Sequence, residues 1–304
     1  MNIEYLMSLL LSFQFAVASE SYNAKAEYSE CPVTNYETCN GIETNETDIT
    51  LYNRAGVQTV RVGFFVDDRT SVLVVDREVE KLNLLFEKSA VNIRVKPAFI
   101  QPIDIASYYG NDMRDVIYDM REWRTVYPFA EYESLVWNKG ADFIHLFLDN
   151  NIDWNACGVA YTYDGTIAPG ITACYSSLDV ASWDPDQDIS TEYIFAHELG
   201  HQFGLEHDEP NNRNFPLIAS GHGLQVTPEY GTIMSYAKTR VPFYSNRKLQ
   251  IKGEVYGNEY ADAVQALNEL APTLARNFED NNSANVLQTR HQPLSTFGDL
   301  PIPE

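Results

Sequence analysis

Phe195-Ala196-His197-Glu198-Leu199-Gly200-His201-Gln202-Phe203-Gly204-Leu205-Glu206-His207-Asp208 is the stretch on which the reading of this chain turns. His197 and His201 stand four residues apart, a spacing that on a helix puts two imidazoles on one face, about one turn from each other. Two such nitrogens can take one zinc ion. Glu198 projects between them, available to work on water beside a metal rather than to bind the metal itself. Gly204 can adopt the positive φ that ends a helix and turns the chain back. The returning chain carries His207. Three neutral nitrogens leave one position of a tetrahedral zinc open, as a catalytic rather than a structural site requires.

The segment 197–208 resembles the extended zinc signature of the metzincin metallopeptidases, His-Glu-x-x-His-x-x-Gly-x-x-His. Gly231-Thr232-Ile233-Met234-Ser235-Tyr236 resembles the methionine-containing turn that lies beneath the zinc in that family. Asp208, directly after the third histidine, is similar to the reprolysin (adamalysin-like) branch. The stretches 240–246 and 261–268 resemble secreted bacterial reprolysin-like proteins. The resemblance is strong over 191–272, weaker over 57–190, and absent at both ends. It implies an α/β fold of the metzincin type: a twisted mixed five-stranded sheet with an antiparallel edge strand, an active-site helix and a Met-turn. It further implies that 158–163 form the edge strand, along which an extended peptide docks by main-chain hydrogen bonds, and that 240–246 wall the pocket for the side chain after the cleaved bond. Met234 would pack under the histidines without coordinating metal. Tyr236 matches a tyrosine of astacin-like and serralysin-like metzincins that reaches zinc or the oxyanion, which makes it a candidate catalytic residue. Asp208 is expected to hold local backbone.

A chain of 304 residues with 44% apolar content can bury a sizeable core in one large domain or two small ones. With 43 acidic against 21 basic residues, the formal charge is −22. Such a chain avoids phosphate backbones, so nucleic acid is not an expected partner. Acidic residues could hold calcium, but no Asp-x-Asp-x-Asp-Gly loop is present to support Ca2+.

Residues 5–18 are uncharged and mostly apolar, too short to span a bilayer comfortably, and followed by small residues. They read as a secretory signal peptide over 1–19, although the leading segment carries Glu4 and no Lys or Arg. An N-terminal anchor or a buried helix is the alternative. Behind a signal peptide, an even number of cysteines suggests disulfides. Cys31, Cys39, Cys157 and Cys174 allow three connectivities; the local pairs Cys31–Cys39 and Cys157–Cys174 are preferred. A rival role for Cys31 or Cys39 is to hold the open zinc position in a latent proform. Residues 20–56 read as a pro-segment, 57–280 as the catalytic domain, and 281–304 as a flexible tail.

Within that domain, 59–66 and 91–95 read as strands, 71–88 and 111–124 as helices, and 143–148 as a buried strand. His145 in the last of these is read as a satisfied core histidine. Asp188, Ser190 and Thr191 offer N-caps for the active-site helix, His222 is read as a loop residue, and 258–277 as the final helix. Strand–helix alternation predicts a mostly parallel sheet with helices packed on it. The expected protein is a secreted (extracellular or periplasmic), monomeric zinc endopeptidase with one catalytic Zn2+. It would act on proteins or peptides and have no membrane contact once its signal is removed. A catalytically silent secreted binding protein or adhesin on the same scaffold is the alternative class, and a zinc hydrolase of non-peptide bonds a third.

Overall fold

The computed structural model describes residues 56–109, 115–116, 119, 129–149, 158–160, 170–175, 193–208, 215–227, 229–237, 239–251 and 253–276. Its centre is β1 (Gln58–Asp67), whose last six residues are all buried. Burial on both faces explains why Val62-Gly63-Phe64-Phe65-Val66 is a near-continuous apolar run rather than an alternating one. β1 pairs in parallel with β2 (Ile93–Ile103) on one side and β3 (Phe143–Leu148) on the other. β3 pairs in parallel with β5 (Gly170–Tyr175), and β4 (Gly158–Ala160) closes the sheet antiparallel to β5. The order β2-β1-β3-β5-β4 is thus a mixed five-stranded sheet with an antiparallel edge, the architecture expected from the sequence.

Alternation along the strands sorts side chains onto two faces. Val60, Val62, Phe64, Phe143 and Phe147 enter one core with the helices α1 (Leu73–Ser89), α3 (Ile194–Gln202) and α4 (Ala263–Leu274). Phe65, Ile144, Leu146 and Leu148 enter the other, beneath α2 (Glu133–Lys139). Each fully buried phenyl of this kind contributes about 2–3 kcal/mol. α1 presents Val75, Val79, Leu82, Leu85 and Phe86 at helical spacing and ends at Ala90, which takes the left-handed conformation at φ 61°. In α4, Asp262 accepts from Gln265 N at 3.1 Å, the side-chain cap that sets where the helix begins.

Several boundaries differ from those read in the sequence. β2 runs on to Ile103 through Pro97 and Pro102, which an edge strand tolerates because one side of its backbone needs no ladder partner. β5 and α2 were not anticipated. Tyr193, not a residue of 188–191, occupies the N-cap position of α3 and makes no side-chain cap bond; 188–191 lie outside the described residues. So do 161–163 of the expected edge strand, the termini assigned to signal, pro-segment and tail, and most of 111–124, of which 115, 116 and 119 are helical. No helix among the described residues is long and apolar enough to cross a membrane.

Candidate metal and catalytic site

α3 lies under the sheet's β3–β5–β4 side. Gln202 donates to Ile144 O at 2.8 Å, and Tyr244 Oη donates to Ala196 O at 2.7 Å, so the helix is held from the sheet and from the C-terminal segment. Its end is a Schellman turn: Gly204 N donates to His201 O at 2.9 Å and Leu205 N to Gly200 O at 3.0 Å, with Gly204 at φ 89°. A side chain there would be strained by that φ, and its Cβ would lie 2.9 Å from Leu217 Cβ.

The turn also orients the histidines. His201 Nδ1 donates to Leu205 O at 2.9 Å and His197 Nδ1 to Ile233 O at 2.7 Å. Both Nε2 atoms are thereby left as lone-pair donors. His207 Nε2 lies 3.2 Å from that of His197 and 3.0 Å from that of His201. One N–H on His207 could satisfy at most one of these two neighbours. The spacing is instead close to the ~3.3 Å between nitrogens that share a tetrahedral zinc at ~2.0–2.1 Å. All three rings are buried and together form a cluster able to hold a metal. The donor set therefore fits one zinc ion.

Burial keeps these imidazoles neutral. It pushes His197 well below the ordinary histidine range, His201 to about 4 and His207 to about 2, with the Arg240 charge adding in each case. Burial drives the Glu198 carboxyl the other way, well above its ordinary value, against a downward pull from Arg240. Both Glu198 oxygens are buried without a hydrogen-bond partner among the described residues. Beside them is the edge strand: a Cβ on Gly158 would stand 2.7 Å from Glu198 Oε1, so only glycine lets β4 approach this carboxylate.

The Met-turn closes the site from below. A Cβ on Gly200 would meet Met234 Sδ at 2.5 Å, which places that sulfur against the helix between His197 and His201. The Tyr236 ring stands 4.2 Å from that of His207, centroid to centroid, and its N donates to Asp208 Oδ1 at 2.8 Å. Burial, reinforced by the Glu198 charge, raises the Tyr236 hydroxyl far above its usual range, so it remains a proton donor. His222 Nδ1 donates to His207 O at 2.9 Å, anchoring the third histidine's backbone.

The structure thus brings together His197, Glu198, His201, His207, Met234, Tyr236, Gly204 and Asp208. His145 is elsewhere, in the core, with Nδ1 against Thr172 Oγ1 and its ring boxed by Phe147 and Phe195. Cys174 is buried with Sγ 3.5 Å from His145 Nε2; Cys31, Cys39 and Cys157 lie outside the described residues. Sequence reasoning placed Gly158 in the edge strand, Arg240 in a pocket wall and His222 in a loop, but not the contacts they make here. Their parts depend on contacts across 40, 15 and 5 positions of chain, which no local pattern reports.

Residues 75–208 match the family model described as metallo-peptidase family M12B, reprolysin-like. A peptidyl-Asp metalloendopeptidase of Pseudomonas aeruginosa is 27% identical over 247 residues, 74% of this chain and 39% of that protein. One of the same name from Stenotrophomonas maltophilia is 30% identical over 147 residues, covering 45% of this chain and 32% of its own length. The chain therefore spans about two fifths or less of these curated relatives. A solved structure described as a chaperone-substrate complex shares the fold, with a TM-score of 0.55 at 19% identity over 73% of this chain and 39% of that one.

Proposed function

From the match of residues 75–208 to the reprolysin-like metallopeptidase model, we propose that this protein is a secreted zinc endopeptidase that cuts peptide bonds of extended protein substrates. The observation that carries the reading is the convergence of the three Nε2 atoms beside a buried carboxylate with no hydrogen-bond partner among the described residues. His197, His201 and His207 would hold a single zinc ion. When bound, the ion supplies Lewis acidity that lowers the pKa of water and polarises a carbonyl.

The chain's own groups do the rest. Glu198 takes the proton of the attacking water and passes it to the leaving amine. Its raised proton affinity suits a group that must hold that proton between the two steps. Tyr236 keeps its hydroxyl proton and donates it as a hydrogen bond to the oxygen that gains charge. Asp208 fixes the Tyr236 backbone for that task. An extended peptide adds to the outer side of β4, and Gly158 brings that strand, and hence the peptide, against Glu198. Met234 supports the helix from below and binds nothing. The relatives are named for peptidyl-Asp bonds, and we extend to this chain a preference for Asp beside the cleaved bond. Secretion through the N-terminal 1–19, release of 20–56, a monomeric state and the Cys157–Cys174 and Cys31–Cys39 bridges complete the reading.

The test is digestion of casein by the zinc-loaded chain, with and without a chelator, and by Glu198→Gln. The reading expects chelation to abolish cleavage and the variant to retain one zinc while losing about 10³-fold or more in kcat/KM. Cleavage by Glu198→Gln at the wild-type rate would overturn the mechanism. A catalytically silent binding protein would show no cleavage in any arm.

A further inference from the structure

The three clustered histidines stand on two pieces of chain. His197 and His201 belong to α3, and His207 to the segment that returns after the turn at Gly204. Their nitrogens meet only while those two pieces keep a fixed separation. Two consecutive residues from the C-terminal part of the chain, Tyr244 and Ser245, are bonded to both sides, and both are fully buried. Tyr244 Oη donates to Ala196 O at 2.7 Å, one residue before His197. Its N donates to Ser89 Oγ at 3.2 Å, which ties it also to the end of α1. Ser245 Oγ donates to His222 O at 2.5 Å, and His222 Nδ1 donates in turn to His207 O at 2.9 Å.

A buried serine at the start of α4 has a simpler use. Ala263 N donates to Ser245 Oγ at 2.9 Å and Val264 N to Ser245 O at 3.1 Å. This one residue thus satisfies two of the first-turn amides that a helix leaves unpaired. Capping, however, needs only an acceptor. The hydroxyl still has its proton, and that proton goes to residue 222 rather than to α4. An amide donating to the same oxygen polarises the O–H and strengthens it as a donor. The chain around 222 also lies along the returning segment: Glu206 N donates to Gly221 O at 2.9 Å and Gly223 N to Glu206 O at 3.0 Å.

We propose that Ser245 is a positioning residue for the third zinc ligand: through His222 it fixes His207 relative to α3, which the adjacent Tyr244 holds. The proposal rests on the zinc reading above and deepens it. Because Tyr244 is locked onto Ala196 O, the next residue's hydroxyl has a set place relative to α3, and the carbonyl it grips inherits that place. The start of α4 and the His207 backbone are then one hydrogen-bonded relay.

The test is metal affinity, not turnover. Competition with a chromogenic chelator compares the full chain as wild type, Ser245→Ala, His222→Ala and the double variant. Ser245→Ala is expected to weaken zinc about fivefold, with one ion still bound at saturation. In the His222→Ala background the same change is expected to cost less than about twofold, because the relay is already cut. A plain capping role gives equal factors in the two backgrounds, and equal factors overturn the proposal, as does an unchanged affinity in Ser245→Ala. The cobalt-substituted chain supplies a second readout. Loosening one of three imidazoles changes the visible ligand-field bands, so Ser245→Ala is to change them in the same sense as His222→Ala; wild-type bands in Ser245→Ala overturn the proposal. Should Ser245→Ala fail to fold, Ser245→Cys, similar in shape and a weaker donor, takes its place in the same cycle under the same criteria. A wild type that takes up neither ion overturns the metal reading and this proposal with it. A wild type that binds one ion, with equal factors in the cycle, overturns this proposal alone.

Discussion

Two sets of buried histidines flank the same helix, and they differ in what their nitrogens face. His145 packs against Phe195 of α3 from the sheet side, its ring centroid 4.6 Å away. Its nitrogens meet Thr172 Oγ1 and Cys174 Sγ. His197 and His201 leave the same helix on another side and, with His207, meet one another. Burial depresses proton affinity in both places, taking His145 to about 3. Burial alone therefore does not distinguish a site from a core. The difference is the second nitrogen: in the core it has a neutral partner of the protein's own, and in the cluster it has two other lone pairs, an arrangement that calls for a cation.

The strongest way to break this contrast is to remove one member from each set. His201→Ala is expected to lower zinc affinity by at least about 10³-fold and leave no stoichiometric metal by elemental analysis. His145→Gln is expected to keep one zinc per chain. Metal loss from the second variant, or retention by the first, would dissolve the distinction.

A contrast of intermediate size comes with acid. The unfolded chain protonates residue 145 near 6.5, whereas the folded chain resists until about 3. Stability is therefore present in full above about 6.5 and declines as pH falls through that window, because the unfolded state binds the proton first. At pH 4 the residue alone accounts for about 3 kcal/mol of lost stability. Urea unfolding of metal-free wild type and His145→Gln at pH 7 and pH 4 should show the variant losing less by about that amount. Equal losses would mean that Thr172 and Cys174 accommodate the charged ring.

The smallest expected effect sharpens the cluster itself. His222 donates to the backbone of His207 and acts through it, so His222→Ala should weaken zinc binding by roughly tenfold while leaving one ion per chain at saturation. Competition with a chromogenic chelator measures it; loss of the ion altogether would make His222 a ligand.

Where the sequence was legible, one local rule governed the outcome. α1 and α4 follow apolar periodicity, β1 and β3 are near-continuous apolar runs buried on both faces, and the helix–turn–histidine stretch follows from spacing plus a glycine able to turn the chain. β5, Gly170-Ile-Thr-Ala-Cys-Tyr, has no such signature; its strand state comes from pairing with β3 and β4. The start of β2 was legible over 91–95, but its continuation to Ile103 was not, because two prolines argue against a strand unless its edge position is known. The contacts of Gly158, His222 and Arg240 with Glu198, His207 and Ser235 were not legible for the same reason: each partner is brought close only by the fold.

The Schellman turn at Gly204 has a wider consequence. Leu205 O, which holds His201 in the tautomer that presents Nε2 outward, is positioned by the same two hydrogen bonds that end α3. Fraying of the last helical turn and loosening of the ion are then one event. A captured ion would act as a clasp on the helix terminus, and heat or chelator would open the protein at the same seam.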